Sequence, residues 1–307
     1  MDEEPTRTPP ALFIIAGLAI VIGLVALIIA LTPGAPEGEV SNTASDAPIE
    51  QATAVTAAPS GYSIASSDRM VKAALLAELP KAPPRDDDSD EGYCDQYHAA
   101  PVSTGARTAA AKGWLIAKEG RLGPLTAVTI VATFEPGTSG VCFPRGGNIA
   151  FFDGDTLVGI LYSAADKDVS IGGFEAVGDR LRVGAGTPAP PYGDITLNDR
   201  AIRFGPIAAS DSVCGGRRTV PNIYGLSIQA ARRKLIASGW KPVPSTAEAE
   251  FLTLDLRNEG VVEANGCAPT GYGQCGFSYA AGRDRLGVGS VGDEPVMVSG
   301  YSVECRK

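Results

Sequence analysis

The longest apolar run of the chain lies near its amino end, where residues 11–31 contain no charged side chain. As an α-helix, a run of this length is about 30 Å long and matches the hydrocarbon core of a bilayer. A cleaved secretory signal has a basic start and an apolar run of about 7 to 15 residues, whereas the leader here is acidic. The pattern therefore predicts an uncleaved transmembrane helix at residues 11–31, preceded by a cytoplasmic tail at residues 1–10.

The flanks of this segment give its orientation, because basic residues favour the cytoplasmic side of a membrane. Only Arg7 lies near the segment, so the amino terminus is predicted to be cytoplasmic. Small residues recur at spacings of three and four, which favours close approach of a second helix; they are Ala19, Gly23, Ala26 and Ala30. The predicted partners of the helix are membrane lipid and a second copy of the chain, although such residues are also simply common in membrane helices.

Residues 32–92 form a polar stretch that is predicted to be a disordered acidic linker. They contain 11 acidic and 4 basic residues and little apolar periodicity, so they cannot bury enough surface to offset the entropy of ordering. One exception is the spacing of four between Val71, Leu75 and Leu79, which predicts a short helix near 67–79.

The region 93–213 changes to short runs of β-branched and aromatic residues separated by turn dipeptides. Its clearest signal is a hairpin in which residues 148–152 and 156–162 flank a turn centred on Gly154. The rhythm predicts an extracytoplasmic β-sandwich or barrel. Over 93–307 the charges balance at 21 acidic and 21 basic residues, so the net charge of -9 belongs to the amino-terminal part and indicates no ligand for the folded part.

The region 214–307 is predicted to be a smaller domain that opens with a helix. Ser227 is the predicted cap, Ile228, Ala231 and Leu235 form an apolar stripe at helical spacing, and Gly239 ends the helix. Several strand-like runs follow.

This opening resembles a PASTA domain, the small α/β repeat found outside the membrane on bacterial transpeptidases and serine/threonine kinases. The resemblance covers about residues 219–244 and lies in Val220-Pro221-Asn222, Gly225-Leu226-Ser227, Ala231, Leu235 and Gly239. The second half departs from the family, since it lacks a clear Gln-x-Pro and a terminal Gly-x-x-Val and carries cysteines. The resemblance implies an extracytoplasmic module and a role at peptidoglycan.

These elements together predict the fold class and the location. The fold class is α+β, mostly β, with an amino-terminal transmembrane helix, a flexible linker, a β-sandwich or barrel-like lobe and a small PASTA-like α/β lobe. The predicted location is the bacterial inner membrane, with the carboxyl-terminal domains in the periplasm.

All six cysteines follow the apolar run, without a C-x-x-C motif or a cluster of cysteine and histidine. An even number in this arrangement is typical of disulfides in an oxidising compartment. Six cysteines allow fifteen pairings, and the sequence does not choose among them. Proximity within the predicted lobes suggests three bridges: Cys267 with Cys275 across a glycine-rich loop, Cys214 with Cys305 at the two ends of the second lobe, and Cys94 with Cys142 in the first lobe.

Enzymatic chemistry finds little support in the sequence. His98 is the single histidine, so a Ser/His/Asp mechanism would have to use it, and no G-x-S-x-G nucleophile turn occurs. A zinc site with several imidazoles lacks its ligands. Asp153 and Asp155 have the pattern of turn residues rather than of a calcium loop, and no phosphate-binding loop or dinucleotide fingerprint occurs. The sequence therefore predicts no catalytic residue, no metal, no cofactor and no nucleic-acid partner.

The predicted function is a non-catalytic binding or scaffold protein of the cell envelope, in contact with cell-wall glycan or another envelope protein. Its candidate ligand surface consists of basic and aromatic residues, namely Arg217, Arg218, Arg232, Arg233, Tyr272 and Tyr279. The alternative for the arginines is a solvated helix face. The alternative function is a glycan hydrolase that uses two of Glu119, Glu135 and Glu175, which requires carboxyl groups roughly 5 to 10 Å apart.

Overall fold

The computed structural model describes residues 61–85, 93–137, 140–163, 170–186, 188–269, 271–292 and 295–306. Strands account for 46% and helices for 13% of these residues, and the three α-helices are short. None of the helices in these ranges is long and apolar enough to cross a membrane. The predicted fold class, α+β, mostly β, with a transmembrane helix, is therefore contradicted, since the described chain is mostly β and contains no helix of that kind. The predicted span and its seam (Ala19, Gly23, Ala26, Ala30) lie outside the described residues.

Nineteen strands and three helices make up the described chain. The helices are α1 (Thr104–Ala111), α2 (Ile228–Ala237) and α3 (Phe251–Asn258). The strands are β1 (Ser63–Ser66), β2 (Val71–Leu75), β3 (Leu115–Leu122), β4 (Leu125–Val131), β5 (Thr133–Pro136), β6 (Cys142–Arg145), β7 (Asn148–Asp153), β8 (Thr156–Ser163), β9 (Gly173–Val177), β10 (Arg180–Gly184), β11 (Gly193–Asn198), β12 (Ala201–Gly205), β13 (Ser210–Val213), β14 (Arg218–Pro221), β15 (Lys241–Pro242), β16 (Ala264–Cys267), β17 (Cys275–Ala281), β18 (Asp284–Val291) and β19 (Met297–Glu304).

Two five-stranded sheets form a β-sandwich. Sheet 1 has the order β2-β8-β7-β4-β3 and is antiparallel throughout, whereas sheet 2 has the order β1-β12-β11-β10-β9 and contains one parallel pair, β1 with β12. The side chains between the sheets form one apolar core that includes Leu125, Phe151, Phe174, Ile195 and Phe204. This core holds the outer strand β9 of sheet 2 in place, and β9 later contributes to the candidate site.

Sheet 1 is buried on both faces. Its second face packs against α1 and against the segment that follows β2, through Leu79, Ala106, Ala109 and Trp114. Burial on both sides explains why β7 and β8 are continuous apolar runs rather than alternating patterns.

Residues 61–85 belong to the folded part, although they were predicted to be part of the disordered linker at residues 32–92. They supply β1 to sheet 2 and β2 to sheet 1, and the predicted helix near 67–79 is wrong. Val71 and Leu79 are buried in different cores, so their spacing of four reflects two packing partners and not one helix face. Between the two strands, Asp68 Oδ1 accepts hydrogen bonds from the backbone N–H groups of Met70 and Val71, which forms a turn.

Removal of the Val71 side chain tests this placement. Val71→Ala is expected to lower the free energy of unfolding by about 1 to 3 kcal/mol, because Val71 is 0% exposed and the substitution leaves a cavity between the sheets. Lys72→Ala is the matched control, since Lys72 is the exposed neighbour in the same strand. Chemical denaturation of both variants gives the two values. Equal, small effects would show that this segment does not pack into the sandwich.

The carboxyl-terminal lobe is built on sheet 3, with the order β15-β17-β18-β19 and with β16 also paired to β17. The helix α2 begins where predicted, since Ser227 Oγ accepts a hydrogen bond from the Ala230 N–H, and Ala231 and Leu235 are buried against the sheet. The hairpin of β13 and β14 precedes it, and the predicted boundary between residues 213 and 214 falls at the turn of this hairpin.

Three disulfides are present, as predicted, and all six cysteines take part in them. Cys94 is bonded to Cys142, Cys214 to Cys305 and Cys267 to Cys275. The first ties the segment before α1 to β6, the second closes the ends of the carboxyl-terminal lobe, and the third links directly paired positions of β16 and β17. The disulfide prediction is therefore confirmed.

Candidate functional site

A cleft of about 510 Å³ opens between the β-sandwich and sheet 3. One wall comes from β3, β9, β10 and the residues Gly186, Pro188, Ala189 and Pro191, and the other comes from Tyr224 and residues 299–301 of β19. Both walls contain irregular strands. Ala117 is an extra residue in the pairing of β3 with β4, and Ser299 is an extra residue in the pairing of β19 with β18. Such bulges bend a strand and often lie beside binding sites.

The lining of the cleft combines aromatic rings with exposed main chain. Tyr97, Phe174, Tyr224 and Tyr301 supply rings, and the rings of Tyr224 and Tyr301 lie 5.4 Å apart. Glycine and proline make up much of the rest, which leaves backbone groups accessible between the rings. These are the components of a site that binds through stacking and main-chain hydrogen bonds.

The floor beside the cleft is fixed by Arg182, which is 3% exposed. Its guanidinium makes a bidentate pair with Asp194 on the adjacent strand β11, at 2.9 and 3.0 Å. It makes a second bidentate pair with Asp211 on β13, at 2.5 and 3.0 Å, and a bond of 3.2 Å to the hydroxyl oxygen of Tyr224. All five N–H groups of the guanidinium are therefore used within the protein. Arg182 joins the sandwich to the lobe that follows it and has no donor left for a ligand.

The charge states of this network follow from its burial and its hydrogen bonds. Burial alone would raise the pKa of Asp211, but hydrogen bonds from Arg182 and Tyr301 outweigh burial and hold this pKa below its usual range. For Arg182, burial would lower the pKa, but its bonds to Asp211 and Asp194 raise it. Burial, together with the bond to Asp211, raises the pKa of the Tyr301 hydroxyl. Asp211 and Arg182 are thus charged at neutral pH and hold each other in a structural ion pair.

Two other charged side chains line the cleft and are exposed, Lys118 on β3 and Glu175 on β9. The Lys118 Nζ atom lies 6.0 Å from the centre of the Phe174 ring, and Phe174 directly precedes Glu175. One positive and one negative charge favour a ligand that is neutral or carries both signs.

The carboxylates proposed for a hydrolase have separate roles. The carboxylate of Glu119 accepts hydrogen bonds from the backbone N–H groups of Val102 and Ser103 ahead of α1, and Glu135 is paired with Arg145 at 2.7 Å. Among the described residues, Glu175 is the one acid that lines the cleft. Glu119 and Glu135 do not line the cleft, so these three candidates do not face one another across it, as a glycosidase requires.

The predicted basic surface does not form a single unit. Arg217 and Arg218 both contact Asp284, which is 4% exposed, with the shortest distances at 3.4 and 3.0 Å. The bond from the backbone N–H of Arg306 lowers the pKa of Asp284, and the bond from the Arg218 side chain lowers it further. Asp284 also lies near Cys214 and Cys305, but these cysteines share a disulfide, so their sulfurs are not thiolates available to a metal.

The rest of the predicted surface also needs correction. Tyr279 is 0% exposed, because β17 alternates and turns Cys275, Phe277 and Tyr279 into the core. Its hydroxyl donates to the carboxylate of the fully buried Glu263, which also pairs with Arg232 at 2.8 Å. Arg232 therefore forms an ion pair with a buried acid, whereas Arg233 is exposed.

Tyr272 lies elsewhere on the candidate surface. Its ring packs edge-on against that of Phe143, with ring centres 6.5 Å apart.

A pair of adjacent substitutions on α2 tests these roles. Arg232→Met is expected to lower the free energy of unfolding by about 2 to 4 kcal/mol, because it leaves the carboxylate of Glu263 buried without its cation. Arg233→Met, on the exposed side of the same helix, is expected to change it by less than about 0.5 kcal/mol. Chemical denaturation of the natural chain and of both variants measures these differences in the free energy of unfolding. A loss of the same size in both would contradict the assignment.

The sequence did not reveal the cleft or the Arg182 network. The sequence signal that pointed to the network lies in β10, whose alternation places Arg180 and Arg182 on one face of the strand and Leu181 on the other. Comparison with protein-family models, with curated proteins and with solved structures found no match.

Proposed function

We propose that the chain is a non-catalytic binding protein that works outside the cytoplasm, and that the cleft between the β-sandwich and sheet 3 is its ligand site. The observation that carries this proposal is the composition of the cleft. Aromatic rings and exposed main chain line it, and the buried acids beside it are held in ion pairs with Arg182. Such a site can hold a ligand, and one carboxylate, that of Glu175, lines it, whereas a glycan hydrolase requires two.

The location rests on two observations. Three disulfides, one of them between residues 91 positions apart, favour an oxidising compartment. The PASTA-like opening at residues 219–244 supports an extracytoplasmic module of the cell envelope. Cell-wall material and the exposed parts of other envelope proteins are the ligands available there.

A sedimentation experiment tests the proposal. The purified, oxidised full chain is mixed with insoluble peptidoglycan, and both the bound protein and the soluble wall fragments are measured. We expect the chain to sediment with the wall and to release no fragments. Fragments released by the natural chain and not by Glu175→Gln would show a hydrolase instead, and a chain that stays in the supernatant would remove peptidoglycan as the ligand.

A further inference from the structure

Two glycines in the walls of the cleft have no structural reason to be glycine. Gly173 begins β9 and Gly300 lies within β19, and both line the cleft. A Cβ atom added at either position would meet nothing within 4 Å. Neither residue has a positive φ, so a side chain would not strain the backbone. In contrast, a Cβ at the neighbouring Gly172 would lie 1.9 Å from the Ala185 carbonyl oxygen, so that glycine is explained by packing.

A glycine in a strand costs stability, and one explanation is that another backbone approaches closely at that point. The two strands fit this explanation. β9 is the last strand of sheet 2 and β19 is the last strand of sheet 3, so each is paired within its sheet along one side only. On the other side of β19, Ser227 forms a bridge with Met297, and Val298 is hydrogen-bonded to the backbone of Gly225 and Leu226; these contacts end before Gly300. Backbone hydrogen-bonding groups are thus presented at both walls.

We infer that the cleft binds an extended peptide, whose main chain lies against β9 at Gly173 and against β19 at Gly300. This inference rests on the proposed function and names its ligand class. Strand addition to an open sheet edge gives affinity through main-chain hydrogen bonds, and side-chain pockets add selectivity. Here Tyr97, Tyr224 and Tyr301 provide ring surfaces for alternate side chains of the peptide.

Charge favours a peptide over a polyanion as the occupant. Arg182 has no free N–H group, and the remaining lining charges are those of Lys118 and Glu175. A peptide with one acidic and one basic side chain, or with neither, matches this pair.

Glycine substitutions separate ligand binding from folding. Gly173→Val and Gly300→Val place a branched side chain in the cleft at positions where valine suits a strand. Gly266→Val is the matched control, because Gly266 lies in β16, lacks a positive φ and would also gain a Cβ that meets nothing within 4 Å, but does not line the cleft. Thermal unfolding is expected to show that all three variants fold.

The probes are an immobilised array of hexapeptides with blocked ends and, separately, soluble oligomers of N-acetylglucosamine. Binding of the full chain to both is measured. We expect the chain to bind a subset of the peptides. Each valine substitution in the cleft is expected to weaken this binding at least tenfold, whereas Gly266→Val leaves it unchanged. N-methylation of alternate peptide bonds in a bound hexapeptide is expected to weaken binding in either register, since each register removes the donors that face one of the two strands.

Other results would overturn the inference in distinguishable ways. Binding of the sugar oligomers alone, lost in Gly173→Val and Gly300→Val, would reject the peptide but keep the cleft as the ligand site. Peptide binding that neither valine substitution affects would reject the cleft and with it the proposed function. Absence of any bound hexapeptide would reject the peptide class.

Discussion

Arg182→Met is expected to lower the free energy of unfolding at pH 7 by about 3 to 5 kcal/mol. The substitution removes the bidentate partner of two carboxylates, Asp194 and Asp211, that are 4% and 3% exposed. Arg180 remains near both, but its nitrogens are 3.6 Å from their oxygens and cannot replace the lost hydrogen bonds. Denaturant unfolding of the full chain gives the difference. Arg203→Met is the control, since Arg203 is an exposed arginine in the same sheet.

The same pair of proteins gives a pH dependence with a definite sign. The pKa of Asp211 is lowered in the folded chain, so its stabilising contribution is complete above the ordinary value near 3.8 and is lost as the pH falls through the folded value. Arg182→Met removes the part of this contribution that comes from Arg182 at every pH, and it leaves the bond from Tyr301 to Asp211. The difference in stability between the natural chain and the variant is therefore expected to shrink from pH 7 to pH 3. A difference that stays constant would show that the loss comes from packing and not from charge.

Removal of the Cys214–Cys305 disulfide by a double substitution to serine is expected to lower the free energy of unfolding by about 4 to 5 kcal/mol. This bridge closes a loop over a sequence separation of 91, the largest of the three, so its loss frees the most conformational entropy in the unfolded chain. The Cys267–Cys275 bridge spans 8 positions, and its removal is expected to cost about 2 to 3 kcal/mol.

The two double variants are controls for each other, because each lacks one disulfide. Both double variants keep the remaining disulfides, and the oxidation state of each is checked by thiol titration before denaturation. A larger loss for Cys267 and Cys275 than for Cys214 and Cys305 would contradict the loop-length explanation.

The sequence predicted those features that depend on neighbouring residues. The hairpin at Gly154 and the helix capped at Ser227 were found because a turn residue or a cap lies within a few positions of the pattern it ends. The disulfides were predicted because an even set of cysteines follows the apolar segment, and proximity gave the same pairs that the structure contains.

Features that depend on distant partners were missed. The strand β1 pairs with β12, more than 130 residues later in the chain, and nothing near Ser63 indicates this. Val71 and Leu79 have the spacing of residues on one helix face, but they are buried in two different cores. Tyr279 was placed on the candidate ligand surface, but strand alternation buries it. The Arg182 network joins residues 12 and 29 positions from the arginine, so only the folded chain brings it together.

Hydrogen–deuterium exchange of the oxidised full chain, with and without saturating solubilised peptidoglycan, tests the central claim most directly. We expect the ligand to slow exchange in the walls of the cleft, at residues 115–118, 172–177 and 299–301, and to leave the exposed face of α2 unchanged. Protection at α2 around Arg233 with no change in the cleft would contradict the assignment of the cleft as the binding site.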